Sequence, residues 1–171
     1  MSNKTSGFQS GEGQSANPKA ESFPIPQYGR AVPGADYILR PGGYAVIFNA
    51  AAEVAVVATP VGMALPGGGQ DEGESPEEAA VRETREECGL RITLGPRVGV
   101  ADELVYAADE RRYYRKRCVF FLAEIVEKLG AGEPDHELRW LSSEEAAVKL
   151  LHESQRWAVN EACHHRRTCH D

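Results

Sequence analysis

Gly68-Gly69-Gln70-Asp71-Glu72-Gly73-Glu74-Ser75-Pro76-Glu77-Glu78-Ala79-Ala80-Val81-Arg82-Glu83-Thr84-Arg85-Glu86-Glu87-Cys88-Gly89-Leu90 reads as a glycine-rich loop running into one short, strongly acidic helix. Ser75 is placed as N-cap, Pro76 as the first helical residue, and Glu78 closes a capping box. Gly89 after Cys88 is the matching left-handed stop. The spacing predicts a helix over Pro76–Cys88 whose Ala80, Thr84 and Cys88, at steps of four, face inward with Val81.

These 23 residues carry eight acids against two bases, a local charge of −6, whereas the other 148 hold 18 acids and 17 bases. Nearly all of the chain's net −7 is therefore concentrated in one loop and helix. Like charges at helical neighbours repel by roughly 0.2–0.5 kcal/mol per pair, so a cation is expected there. Glu83, Glu86 and Glu87 stand at i, i+3 and i+4 and project from one helix face. Converging carboxylates suit Mg²⁺ or Mn²⁺, which keep waters and complete their shell with substrate phosphates. Arg82, four residues before Glu86, can hold a carboxylate with its bidentate fork. Gly67-Gly68-Gly69 lets the backbone approach a metal and offer a carbonyl, and Glu74 sits where the helix dipole favours an anion.

The pattern Gly68, five residues, Glu74, seven residues, Arg82-Glu83-Thr84-Arg85-Glu86-Glu87-Cys88-Gly89-Leu90 resembles the Nudix box at every fixed position. Thr84 stands where the family prefers a bulky aliphatic, and a small cost in stability is expected from it. The resemblance runs from the strand at Tyr44 to the late Glu137–Leu141 segment. It implies an α/β Nudix fold, a mixed β-sheet sandwiched between α-helices, and Mg²⁺- or Mn²⁺-dependent hydrolysis of the pyrophosphate linkage in a nucleoside diphosphate derivative. By that resemblance Glu83, Glu86 and Glu87 bind the metal, Gly68 lends its carbonyl, Arg82 orients the glutamates, and one glutamate is the base, Glu83 ahead of the other two. A further carboxylate often completes such sites; Glu103, Glu133 and Glu137 are the candidates. Enzymes of the family that act on dinucleoside polyphosphates tend to carry a Tyr near the distance of Tyr106, 16 residues past Leu90, where ADP-ribose hydrolases tend to carry a Pro. Dinucleoside polyphosphates therefore come first as substrates, sanitation of oxidised nucleoside triphosphates second, and a non-catalytic nucleotide-sensing domain third.

Outward from the box, residues 44–48 and Val54–Thr59 are apolar runs read as a hairpin or two neighbouring buried strands. Residues 62–65 make a short strand, after which Pro66-Gly67-Gly68-Gly69 is expected to leave any ladder. Residues 35–40, 90–94, 97–107, 114–126 and Glu137–Leu141 read as further strands, with turns at Gly95-Pro96 and Ala108-Asp109-Glu110. Ser142 or Ser143 with Glu144-Glu145 opens one or two helices through about Ala162. Residues 1–28 are expected to be a disordered tail, 29–163 one domain, and 164–171 a flexible tail.

The acidic balance speaks against nucleic acid and anionic lipid as partners, and the interrupted apolar stretch 45–65 is no bilayer span. Residues 1–22 lack the apolar core of an export signal, so a cytoplasmic protein is expected, with Cys88, Cys118, Cys163 and Cys169 as reduced thiols. Arg111-Arg112-Tyr113-Tyr114-Arg115-Lys116-Arg117 holds five cations and two aromatics, a composition able to grip phosphates or stack a base. On a strand only alternate residues, such as Arg115 and Arg117, share a face; with Tyr106 they are the substrate-binding candidates. Nucleic-acid end processing would need this strip to line the site entry. His164, His165, Cys169 and His170 could bind zinc, although their spacing matches no structural zinc pattern.

Overall fold

Tyr44, Ala45, Val46 and Ile47, and again Val54, Ala55, Val56 and Val57, are buried without interruption, the pattern of strands covered on both faces. The computed structural model describes residues 24–168. They form strands β1 (Gln27–Tyr28), β2 (Tyr37–Ile47), β3 (Val54–Thr59), β4 (Gly62–Ala64), β5 (Gly67–Gly69), β6 (Leu90–Ala107), β7 (Arg112–Lys128) and β8 (Glu137–Leu141), with helices α1 (Pro76–Cys88), α2 (Ser143–Lys149) and α3 (Glu153–Thr168). Among the described residues the strands make a mixed sheet ordered β1-β6-β7-β2-β5 and a smaller one ordered β4-β3-β8.

Alternation along β2 sorts its side chains into two cores. Tyr44 and Val46 join Val54, Val56 and Leu65 under Ala146, Leu150, Ala158, Val159 and Ala162 of the α2–α3 side. Ala45 and Ile47 face the other way, onto Cys88, Leu90 and Ile92, with Val81 of α1 against them. The chain is an α/β sandwich, helices on both faces of mixed β-structure, the architecture that the resemblance implies.

Helix α1 spans the predicted residues, and its caps are as read. Ser75 Oγ accepts from the Glu78 amide at 3.2 Å, Glu78 Oε2 accepts from the Ser75 amide at 2.8 Å, and Gly89 stops the helix at φ +62°. Ser142 and Glu145 repeat the capping box at α2.

Five expectations are corrected. The runs 44–48 and 54–59 are buried and meet at an antiparallel Phe48–Val54 bridge, as read, but beyond it they continue into different sheets; at the turn Asn49 Oδ1 accepts from the Ala51 and Glu53 amides, both at 2.9 Å. Gly67–Gly69 stay in the ladder, antiparallel to Gly42, Gly43 and Tyr44, since strands without side chains can approach this closely. Gly95-Pro96 is an irregularity inside β6, where pairing with β7 shifts between Leu94 and Arg97, rather than a turn. Gln27–Tyr28, expected in the N-terminal tail, pairs in parallel with Asp102 and Glu103. Helix α3 continues to Thr168, through much of the expected C-terminal tail; the Arg166 guanidinium lies 4.2 Å from the centre of the Phe48 ring, and His165, Arg166 and Arg167 complement the helix dipole. The expectation for residues 1–23 lies outside the described residues, as do Cys169 and His170 of the zinc reading. No helix among the described residues is long and apolar enough to cross a membrane.

Candidate active site

Helix α1 lies on β2 at Gly43, where an added Cβ would overlap the Pro76 carbonyl and sit 3.1 Å from the Ala80 amide nitrogen. Ala79 and Ala80 are fully buried at this contact. The close seat brings the carboxylate-bearing face of the helix against β5. A Cβ on Gly68 would fall 2.7 Å from Glu83 Cδ and 2.8 Å from its Oε1. One turn on, Glu87 Oε2 accepts from the Gly67 amide at 3.0 Å.

Arg82 ties the cluster together with every edge of its guanidinium. Nε and Nη2 grip the two oxygens of Glu74 at 2.8 and 2.9 Å; Nη1 reaches Glu83 Oε1 at 2.9 Å and Glu86 Oε2 at 3.1 Å; Nη2 also donates to the Gly69 carbonyl at 3.0 Å. The fork and the Asp71 amide hold the Glu74 carboxyl down at about 2. Arg82 is raised above its ordinary value, chiefly by Glu74. Burial pushes Glu87 up to about 7, against the Gly67 hydrogen bond, with the Glu83 and Glu133 charges adding. Glu83 is raised for the same first reason, the Arg82 contact opposing. Carboxyls that burial keeps from ionising easily, beside an open glycine backbone, form a cradle of hard oxygen donors that fits Mg²⁺ or Mn²⁺.

The three outer carboxylates separate. Glu133 lies near the cluster: its amide donates to the Glu86 carbonyl at 3.0 Å and its charge is felt by Glu83 and Glu87. Glu137 pairs with Arg139 at 2.7 Å on the exposed side of β8. Glu103 is buried beneath α3, accepting from the Ser154 amide at 2.8 Å with His152 Nδ1 3.7 Å away. Despite that burial, which raises it, His152 and Ser154 hold its carboxyl below the ordinary value.

The substrate-binding candidates fall on one face, that of Gly43 and α1. Arg117 forks onto Asp102 at 2.9 and 3.0 Å, and Arg115 stands 3.7 Å from the same carboxylate. Arg117 is committed to the buried Asp102 carboxylate, and Arg115 is its distant, half-exposed second partner. Tyr106 is exposed, its ring 4.8 Å from that of Tyr113, which lies 5.5 Å from Tyr37.

Two groups escaped the sequence reading. His136 stands between Glu87 Oε1 at 3.7 Å and the carboxylates of Glu133 and Asp135 at 3.1 and 2.9 Å, brought there by a loop packed on the end of α1. Glu133, Asp135 and His136 hold their ligand atoms within 4.8 Å of one another. Nothing local in the sequence marks that fold-back. On the opposite face of the large sheet, Arg40, Lys116, His152 and Gln155 line a cavity with the β5 glycines. The alternation that groups Arg115 with Arg117 could have found Lys116, because Cys118 and Phe120, in phase with it, are apolar and inward.

The NUDIX domain family matches residues 39–162. A Mycobacterium tuberculosis protein named "Putative 8-oxo-dGTP diphosphatase 3" is 36% identical over 89 residues, 52% of this chain; the match spans only 41% of that relative's length. The solved MutT protein of Methanosarcina mazei superposes with a TM-score of 0.61 at 20% identity, covering 77% of this chain and 97% of its own. An Ap4A hydrolase of C. elegans gives 0.61 at 18% identity, covering 75% and 98%. These two structures share the fold. With the family matched across most of its length and the box glutamates gathered on one helix face against a glycine strand, this chain belongs to the NUDIX domain family.

Proposed function

We propose that this chain is a Mg²⁺- or Mn²⁺-dependent hydrolase of the pyrophosphate linkage in a small-molecule nucleoside diphosphate derivative. One observation carries the reading: Arg82 and β5 hold Glu83, Glu86 and Glu87 together although a single guanidinium, shared with Glu74, faces the three carboxylates. When bound, a divalent ion supplies charge neutralisation for the phosphoryl oxygens and makes an adjacent water more acidic. Glu83 is the candidate base, which would accept a proton from the attacking water; its raised carboxyl suits the task. Arg82 keeps Glu83 and Glu86 from splaying, the Gly67 amide fixes Glu87, Gly68 leaves room for the Glu83 carboxylate, and Glu133 is the outer carboxylate nearest to joining them.

Dinucleoside polyphosphates are the favoured substrate. The half-buried Tyr37 and Tyr113 rings and the exposed Tyr106 ring form a ladder on the α1 face, its Tyr37 six residues along β2 from Gly43, about 20 Å at strand rise, a span suited to a second nucleoside. Oxidised nucleoside triphosphates are the alternative, favoured by the name of the mycobacterial relative. The protein is incubated with Mg²⁺ or Mn²⁺ and a panel holding both classes and ADP-ribose, beside a Glu86→Gln, Glu87→Gln variant. Hydrolysis by the wild type and its loss by roughly a thousandfold or more in the variant are expected. If both proteins bind a nucleotide and neither cleaves any, the domain is a sensor.

A further inference from the structure

The loop that closes on the end of α1 is fixed backbone to backbone. The Leu129 amide donates to the Gly89 carbonyl at 2.8 Å, the Glu133 amide to the Glu86 carbonyl at 3.0 Å, and the His136 amide to the Glu133 carbonyl at 3.0 Å. A Cβ on Gly132 would fall 1.9 Å from the Glu87 carbonyl oxygen, so the loop lies on the helix with no room between them. Side chains carried by such a segment are held in place before any ligand arrives.

His136 is the centre of the loop's polar groups. Its Nδ1 stands 2.9 Å from Asp135 Oδ1 and 3.1 Å from Glu133 Oε2, while Nε2 looks the other way, 3.7 Å from Glu87 Oε1. Two carboxylate oxygens thus crowd one ring nitrogen, which carries at most one hydrogen and can serve only one of them well. A divalent ion serves all three groups at once. Ligand atoms about 2.1 Å from one ion stand about 3 Å apart at adjacent octahedral positions, and that is the spacing on both sides of Nδ1. The three ligand atoms lie within 4.8 Å of one another, and the Glu133 and Asp135 carboxylates, both exposed, are free to close the triangle.

The far side of the ring agrees. A metal-bound imidazole turns its other nitrogen to a carboxylate, which orients the ring and keeps the hydrogen away from the ion, and Glu87 stands there. The box glutamates offer oxygen alone, which suits Mg²⁺; an imidazole nitrogen suits transition ions better. We propose that Glu133, Asp135 and His136 form a second divalent-ion site beside the one at Glu83, Glu86 and Glu87, with His136 Nδ1 as a nitrogen ligand that selects transition ions over Mg²⁺. The site itself rests on the loop geometry; that its ion meets the same pyrophosphate rests on the hydrolase reading.

The full-length protein is stripped of metal, saturated with Mg²⁺ and titrated with Co²⁺, followed by calorimetry and by hyperfine-shifted imidazole signals in the proton spectrum. Co²⁺ binding that excess Mg²⁺ does not abolish is expected, with the ring protons of one histidine shifted. His136→Gln should lose those signals and weaken this binding tenfold or more, with Mg²⁺ affinity within about threefold of wild type. No shifted imidazole in the wild type, or the same signals and the same Co²⁺ affinity in His136→Gln, overturns the site. If His136→Gln loses its circular dichroism signal, Asp135→Asn is read for the same weakening by the same criterion. Imidazole-bound Co²⁺ that depends on His136, in a protein that hydrolyses no nucleotide, keeps the site and overturns the hydrolase; hydrolysis by a wild type without the imidazole signals does the reverse.

Discussion

The carboxylate of Glu83 occupies the space that a Cβ at position 68 would take, 2.7 Å from its Cδ, so the glycine and the glutamate exclude any larger pair. Gly68 does not need a left-handed backbone, and an alanine there is strained only by this contact. Gly68→Ala therefore displaces the flexible end of Glu83 rather than the fold. The expected outcome is a Tm within about 2 °C of wild type, with Mn²⁺ affinity down roughly tenfold and kcat down 10- to 100-fold, read by thermal melts, Mn²⁺ titration and turnover.

Thr84 is fully buried on the sheet-facing side of α1, and its hydroxyl has no hydrogen-bond partner among the described residues. The sequence predicts a small penalty at this position, and the orphaned oxygen is its physical form. Thr84→Val keeps the shape and removes the desolvated hydroxyl, a gain of about 1 kcal/mol, or roughly 2–4 °C in Tm for a chain of this size. An unchanged or lower melting point by calorimetry counts against this account.

The box was legible because its information is local: caps, helical spacing and charge all fall within 23 consecutive residues. The strands were legible from apolar runs, since β2 and β3 are covered on both faces. What the sequence did not show depends on distant pairing. The seat of α1 on Gly43, the return of the chain that sets His136 beside Glu87, and the burial of Glu103 beneath α3 join residues from 33 (Gly43 to Pro76) to 51 (Glu103 to Ser154) apart. In the strip 111–117, Arg115 and Arg117 share a face, as the alternation predicts, and what the sequence did not show is that Asp102 of β6 stands on that face beside them.

Glu87 couples stability to pH. Its folded-state carboxyl is raised from 4.5 to about 7, so its contribution to metal-free stability is full below about pH 4.5 and is lost as pH rises through 7. The side chain is 15% exposed, and the shift corresponds to at most about 3 kcal/mol. In chelator the melting temperature should fall by several degrees between pH 5 and 8, and Glu87→Gln should flatten the curve. Stabilisation by Mg²⁺ should grow over the same interval, because the ion requires the deprotonated carboxylate.

The outer carboxylates divide in a single experiment. Glu133→Gln removes a charge felt by Glu83 and Glu87 and should weaken Mn²⁺ binding severalfold with little change in Tm. Glu103→Gln alters a buried acceptor of the Ser154 amide and should cost about 1–3 kcal/mol in urea denaturation while Mn²⁺ affinity stays within twofold. The opposite pattern would place Glu103 at the metal.

Asp102 is 4% exposed and takes both oxygens to Arg117, with Arg115 at 3.7 Å as a distant second partner. A carboxylate this enclosed cannot turn to water when its fork is removed. Arg117→Gln leaves it with one long contact, and the cost follows from the stranded charge rather than from a lost substrate contact: about 1–3 kcal/mol less stable, read as a lower urea midpoint. Because the pair is structural, adding Asp102→Asn to Arg117→Gln removes the stranded charge and should recover part of the loss, a coupling seen in a double-mutant cycle. If Arg117 instead gripped substrate, the single variant would raise KM at unchanged stability and the second substitution would restore nothing.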